Sequence, residues 1–329
     1  MILGSKVELD EEAKEILMEL QYSFPLTTTP FKDIAERLGM STERLIKKVK
    51  DLMAKGIIKR IGFYVNYKSI KKEAALVGMN VDAERLNKLV QLQIRDPDIT
   101  HSFLREHPEY NVWFVVKKED KTEIMNYVVR LAKTLDTTKW IILFSERSYK
   151  LSVKYDLYRG ISRSGKYALL PESIPSITSL GVSKSFIHML RRIPVTVNPY
   201  KEIAKTHGLT EEQVVALAKR LLSVGVLCDP GASLNGSLLG FNANALLMLE
   251  PNEDNANSLC HCIANSPYTT HVVRRTPHRP EWKYTCYAMI HAVSREKALS
   301  AAEEIISACS PRDVQIAFSQ LDLKPGVIR

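Results

Sequence analysis

The sequence predicts an α+β chain made of two tandem copies of one two-part design, a winged helix-turn-helix followed by a βαββαβ domain. The first observation behind this is an internal repeat. Phe31-Lys32-Asp33-Ile34-Ala35-Glu36-Arg37-Leu38-Gly39 returns as Tyr200-Lys201-Glu202-Ile203-Ala204-Lys205-Thr206-His207-Gly208, each preceded by an apolar residue and a proline (Phe24-Pro25, Ile193-Pro194). Gly39 to Gly208 and Gly56 to Gly225 are the same 169 positions apart. The second is that each repeat is followed by the same alternation of strand-period and helix-period hydrophobic patterns.

In the first copy Asp10 caps a helix opened by Glu11 and Glu12, with Ile16, Leu17 and Leu20 on one face. Thr29-Pro30 starts a second helix that Gly39 ends, Ser41 caps a third carrying Leu45, Val49 and Leu52, and Gly56 closes it. Residues 57–61 alternate as a strand. Then come strand 74–81, helix 83–94, strands 99–106 and 110–116, helix 121–135 and strand 140–151. The second copy repeats this as 243–249, 253–264, 269–276, 284–291, 294–308 and 313–321, the ferredoxin-like order of elements. The domains are expected at 1–66 and 67–152, then 183–236 and 237–329. Residues 153–182, rich in Ser, Gly, Pro and basic side chains, read as an ordered crossing arm or a linker.

The chain has 329 residues, 45% apolar and 25% charged, which argues against global disorder. No apolar run reaches the roughly 20 residues of a membrane helix, and the N-terminus has no apolar signal core, so a cytoplasmic protein without a membrane partner is expected. Five cysteines, all in the second half and without a CxxC pair, suggest reduced thiols. Cys260-His261-Cys262 lacks a second ligand pair, so no metal site is expected. A net charge of +9, from 46 basic and 37 acidic residues, favours a polyanionic partner: nucleic acid, an anionic surface or a small molecule with many carboxylates.

Several segments choose among these. Phe24-Pro25-Leu26, Lys59-Arg60-Ile61-Gly62, Thr100-His101-Ser102-Phe103-Leu104-Arg105-Glu106-His107 and Tyr110-Asn111-Val112-Trp113-Phe114 stand in copy one. Thr270-His271-Val272-Val273-Arg274-Arg275, Pro280-Glu281-Trp282-Lys283-Tyr284 and Tyr287-Ala288-Met289-Ile290-His291 stand in copy two. The architecture resembles the Lrp/AsnC regulators, and these segments resemble the enzymatic branch of that family, the siroheme decarboxylases of alternative heme and heme d1 biosynthesis. The likeness covers nearly all of the chain outside residues 153–182 and is similar to a fusion of two subunit types.

The resemblance implies conversion of two siroheme acetates to methyl groups, giving 12,18-didecarboxysiroheme, with no cofactor beyond the iron of the substrate. It also implies self-association, as a homodimer through ferredoxin-like sheets. Loss of carbon dioxide from an acetate leaves electron density that a proton must quench, so the reaction needs a proton donor, cations for the spectator carboxylates and an apolar slot for the ring. Imidazole suits the first task and guanidinium the second. Period two puts His101, Phe103 and Arg105 on one strand face, and His271, Val273 and Arg275 on another, with Arg274 opposite or at a bulge. Each imidazole then stands roughly 13 Å along its strand from the guanidinium, at 3.3 Å per residue. The expected catalytic groups are His101, His271 and Tyr67. The expected substrate-binding groups are Arg60, Lys68, Arg105, Arg274, Arg275, Tyr110, Trp113, Trp282 and Tyr287. Where these decarboxylases often carry Asn-His-Arg after the wing, this chain has Asn66-Tyr67-Lys68 and Asn235-Gly236-Ser237, so the two copies are unequal.

The competing readings are a DNA-binding regulator of Lrp/AsnC type and a non-catalytic tetrapyrrole sensor. The third helix of copy one offers Arg44, Lys47, Lys48 and Lys50, but its counterpart opens with Glu211 and Glu212. A two-fold DNA reader needs equivalent recognition helices, so DNA binding is expected to be weak or absent.

Overall fold

A computed structural model describes residues 7–252 and 255–325. Chain order begins with α1 (Glu11–Tyr22), α2 (Pro30–Arg37), α3 (Thr42–Ala54), β1 (Ile58–Val65) and a 3₁₀ turn at Tyr67–Ile70. It continues with β2 (Glu73–Met79), α4 (Ala83–Ile94), β3 (Ile99–Arg105), β4 (Val112–Lys118), α5 (Lys121–Thr134) and β5 (Trp140–Leu151). Two short strands follow, β6 (Tyr155–Asp156) and β7 (Ile161–Ser162), then α6 (Lys184–Leu190), α7 (Lys201–His207), α8 (Glu211–Ser223) and β8 (Leu227–Leu234). The last set is β9 (Ala243–Glu250), α9 (Ala256–Asn265), β10 (His271–Pro277), β11 (Cys286–Ala292), α10 (Arg295–Cys309) and β12 (Asp313–Asp322). The first two residues of the helix expected at 253–264 lie outside the described residues. No helix among them is long and apolar enough to cross a membrane.

The chain sorts into two compact units by type of element rather than by copy. The first holds both helical triads and residues 151–182. Its helices start where the sequence supplies caps: Asp10 accepts from the Ala13 amide at 2.7 Å, Ser41 from Arg44 at 3.2 Å, and Thr210 and Gln213 form a capping box. The expected strand of each wing pairs with the wing of the other copy, β1 antiparallel to β8, with Gly62 opposite Gly231. Both glycines have positive φ, and a Cβ on Gly62 would stand 2.6 Å from the carbonyl oxygens of Leu190 and Arg191. Only glycine admits that approach.

Residues 151–182 are an ordered arm of this unit. The Lys154 ammonium is buried against the Gln21 and Pro230 carbonyls and ion-paired with Asp229 at 3.1 Å. Asp229 stands at the repeat position of Arg60, 169 residues on, and Arg60 likewise caps a helix end, donating to the Arg191 carbonyl at 2.9 Å. Where copy two lacks the arginine, its aspartate brings in a lysine from the arm to do the same work.

The second unit contains both βαββαβ modules. Within each, strand order is the ferredoxin-like one: β5-β2-β4-β3 and β12-β9-β11-β10. The free edges join across copies, β3 to β12 and β10 to β5, so that eight strands close into a ring. Closure pairs both edges of each module with the other module of the same chain. One face packs under α4 and α5, burying Ala75, Val77, Phe114, Ile124, Val128 and Ile142. The opposite face, with Leu76, Trp113, Leu143, Leu246, Met248, Tyr287 and Ala317, meets itself inside the ring.

The cysteines correct the expectation of reduced thiols. Cys260 bridges to Cys286 and Cys262 to Cys309; Cys228 alone is a buried thiol. Residues two apart on α9 point to different neighbours, one to the sheet beneath and one to α10 beside it. That geometry is invisible in the spacing. At the equivalent places copy one has Val90, Val112, Leu92 and Leu135.

Candidate functional site

Inside the ring, strand period two does what the sequence implied. Phe103 is register partner of Trp113, and Val273 of Tyr287. His101, Phe103 and Arg105 therefore share the inward face of β3, and His271, Val273 and Arg275 that of β10. Ser102, paired with Phe114, and Leu104 point to the helix side. Arg274 faces the helices too, pairing with Glu146 and donating to Asn257 on α9 at 2.9 Å, so it does not join Arg275 and His271.

The two copies build the same local device. Thr100 Oγ1 is 3.0 Å from His101 Nδ1 and Thr270 Oγ1 is 3.2 Å from His271 Nδ1. Both imidazoles are half-buried. Arg105 donates to the Ala317 carbonyl at 3.2 Å, and Arg275 to the Leu143 carbonyl at 3.4 Å and Ser145 Oγ at 2.5 Å. Those two carbonyls are equivalent, since Ala317 is register partner of Leu246 and Leu143 of Leu76. Each guanidinium thus reaches across to the last strand of the other copy. At 6% and 9% exposure the two are nearly desolvated, where a cation acts on an anion with far more force than in water. Arg105 lies over the Phe103 ring at 5.1 Å and Arg275 over Tyr287 at 5.5 Å, so each is stiffened from its own sheet face.

Aromatic packing closes one part of the interior. Trp113 Nε1 donates to the Tyr110 carbonyl at 2.9 Å, and Tyr287 hydroxyl donates to its counterpart, the Tyr284 carbonyl, at 2.9 Å while accepting from Trp282 at 2.7 Å. Burial raises the Tyr287 phenol well above its ordinary pKa, so it stays neutral. His107 stacks on Tyr110 with ring centres 5.6 Å apart, accepts from the Glu109 and Tyr110 amides through Nδ1, and is 3.0 Å from Gln315 through Nε2. Burial lowers its pKa despite Gln315. A neutral, fully engaged imidazole of this kind builds the wall.

The strand entries are clamped across copies as well. Lys150 Nζ donates to the Ser266 carbonyl at 2.5 Å and Thr269 Oγ1 at 3.1 Å, just before Thr270-His271. Lys324 Nζ donates to the Asp96 and Ile99 carbonyls at 2.5 and 2.9 Å, just before Thr100-His101. Burial pulls the Lys150 ammonium down to about 8.

Arg60, Tyr67 and Lys68 belong to the first unit. Arg60 is buried, its guanidinium held by the Phe63 and Arg191 carbonyls over the Tyr64 ring, which makes it a builder of the wing. Tyr67 and Lys68 sit together on the 3₁₀ turn, the ammonium 5.8 Å from the ring centre. In α3, Arg44 and Lys48 both pair with Glu12 of α1 at 2.6 Å, which offsets their charge at the surface a DNA reader would use.

Sequence reasoning passed over His291 and Asn244. His291 follows Tyr287 and Met289 at period two and so faces inward on β11, and its Nδ1 is 2.5 Å from Asn244 Oδ1 on β9. The alternation was legible; the partner on a strand 47 residues away was not.

Comparison with known proteins agrees with this architecture. A family profile described as the AsnC-like ligand binding domain matches residues 71–150 and 238–324, and one described as the siroheme decarboxylase NirDL-like HTH domain matches 13–59 and 189–227. A siroheme decarboxylase of Hydrogenobacter thermophilus is 26% identical over 94% of this chain and 96% of its own length. The siroheme decarboxylase beta subunit of Desulfovibrio desulfuricans is 30% identical over 40% of this chain and 83% of its own. The crystal structure of the siroheme decarboxylase NirDL in complex with an iron-uroporphyrin III analogue covers 95% of this chain and 92% of that one, with a TM-score of 0.62 and 22% identity, a likeness of fold.

Proposed function

The chain belongs to the siroheme decarboxylases of the AsnC-like family, and on that premise we propose that it removes carbon dioxide from two acetate side chains of siroheme, yielding 12,18-didecarboxysiroheme. One observation carries the reading: a Thr-supported imidazole and a desolvated arginine recur on the inward faces of β3 and β10, with each arginine anchored on the opposite copy.

Arg105 and Arg275 are suited to grip spectator carboxylates of an acidic macrocycle, because a guanidinium pairs bidentately with a carboxylate. Trp113 and Tyr287 are 1% and 2% exposed, so they stiffen the interior from within its packing, with Trp282 beside them. His101 and His271 stand as proton donors. As the carbon–carboxyl bond breaks, its electron pair stays on the pyrrole-linked carbon, carbon dioxide departs, and the imidazolium proton goes to that carbon. A general acid placed this way contributes on the order of 10²–10⁴ in rate. Electrons balance within the substrate.

Anaerobic incubation of the purified protein with siroheme, followed by mass spectrometry of the extracted pigment, tests the proposal. Loss of two carbon dioxide units is expected. Retention without mass change makes the protein a sensor, and sequence-dependent retention of duplex DNA at physiological salt makes it a regulator.

A further inference from the structure

The two ends of the ring interior are built on one plan but furnished differently. His101 is register partner of Val115 and His271 of Met289, so the residues two further along the strands, Lys117 and His291, are equivalent. By the same count Ala74 in copy one stands where copy two has Asn244, since Leu76 and Leu246 correspond. The copy-two end therefore carries a second imidazole with its own hydrogen-bond partner, and the copy-one end carries an ammonium and a methyl group.

The 2.5 Å contact ties His291 Nδ1 to the Asn244 side chain, and a donating Nδ1 puts the lone pair on Nε2. The Arg105 guanidinium lies against the same strands, Nη1 at 3.5 Å from the Asn244 carbonyl and Nη2 at 3.8 Å from Met289 Sδ. An imidazole tied through Nδ1 to a side-chain oxygen is the arrangement of a metal-binding histidine. His271 and Arg105 share that end through Met289.

The geometry points to His291 as the axial ligand of the siroheme iron, through Nε2, with Asn244 as the positioning residue that fixes its tautomer. This rests on the proposed function and deepens it. The macrocycle is then seated by its iron at the copy-two end, and its acetates are presented from there to the histidine and arginine pairs. The inequality of the copies is a matter of seating as well as of chemistry.

The test is the EPR spectrum of the nitrosyl adduct of ferrous siroheme bound to the full chain, with the extracted pigment weighed in parallel. Wild type is expected to show hyperfine splitting from a nitrogen trans to the nitric oxide. His291→Ala should retain siroheme, lose that splitting, and regain it on adding imidazole. Asn244→Leu should weaken it and Asn244→Asp preserve it. Lys117→Ala, at the equivalent position of copy one, should leave it unchanged. Splitting that survives in His291→Ala, or that vanishes equally in Lys117→Ala, overturns the assignment. Circular dichroism checks folding, and His291→Gln replaces His291→Ala if the latter does not fold. Wild type that retains and decarboxylates siroheme without trans-nitrogen splitting sinks this inference alone. Wild type that does not retain siroheme sinks the proposed function and the inference with it.

Discussion

Lys150 offers a prediction whose size can be worked from the structure. The residue is 2% exposed, its ammonium clamps the loop that leads into Thr270-His271, and burial lowers its pKa from 10.5 to about 8. Below pH 8 the folded and unfolded chains both hold the proton, so the desolvation cost is fully present. Between about 8 and 10.5 the folded chain has released it and the unfolded chain has not, so stability rises with pH through that window. Two and a half units at about 1.4 kcal/mol each amount to roughly 3 kcal/mol. Lys150→Met removes the titration. The assay is urea unfolding of both proteins at several pH values from 7 to 11, read as the difference between them. Wild type should gain on the variant by up to roughly 3 kcal/mol as pH rises. Parallel profiles across that range would refute the reasoning. Loss of the clamp should also speed hydrogen exchange at the Thr270 and His271 amides.

Arg105→Ala and Arg275→Ala should each weaken siroheme retention more than turnover of what is bound. Loss of a charged hydrogen bond, about 1.5–3 kcal/mol, means roughly 10- to 100-fold in Kd by equilibrium titration. Asp229→Asn leaves Lys154 buried without its counter-charge, so the chain should lose about 3 kcal/mol, seen as a drop in Tm of about 4 °C in calorimetry. Alkylation in denaturant without reductant should mark one thiol, Cys228, and all five cysteines only after reduction, counted by intact mass.

Much of this was legible because repeats and strand period are local. The 169-residue displacement disclosed two copies, and alternation alone separated Arg105 and Arg275 from Ser102 and Arg274. Pairing between copies was not legible. Nothing in β3 or β10 states that each will be zipped to the last strand of the other module, since an edge strand looks the same whether its partner is near or distant in sequence. Arg60 read as a substrate cation because Lys59-Arg60-Ile61-Gly62 resembles the wing of the decarboxylases. The positive φ of Gly62 instead brings a helix end within reach, and the guanidinium is used there. The disulfides escaped for a related reason. Cys260 and Cys262 are neighbours in sequence but point to different elements, and only the packed sheet and α10 supply their partners.

Single-turnover decarboxylation by His101→Ala and His271→Ala, each loaded with siroheme under argon and followed by pigment mass over time, tests the central claim most directly. Both variants should hold the pigment, with carbon dioxide release slowed by about 10²-fold or more. Release at the wild-type rate in both would contradict the account.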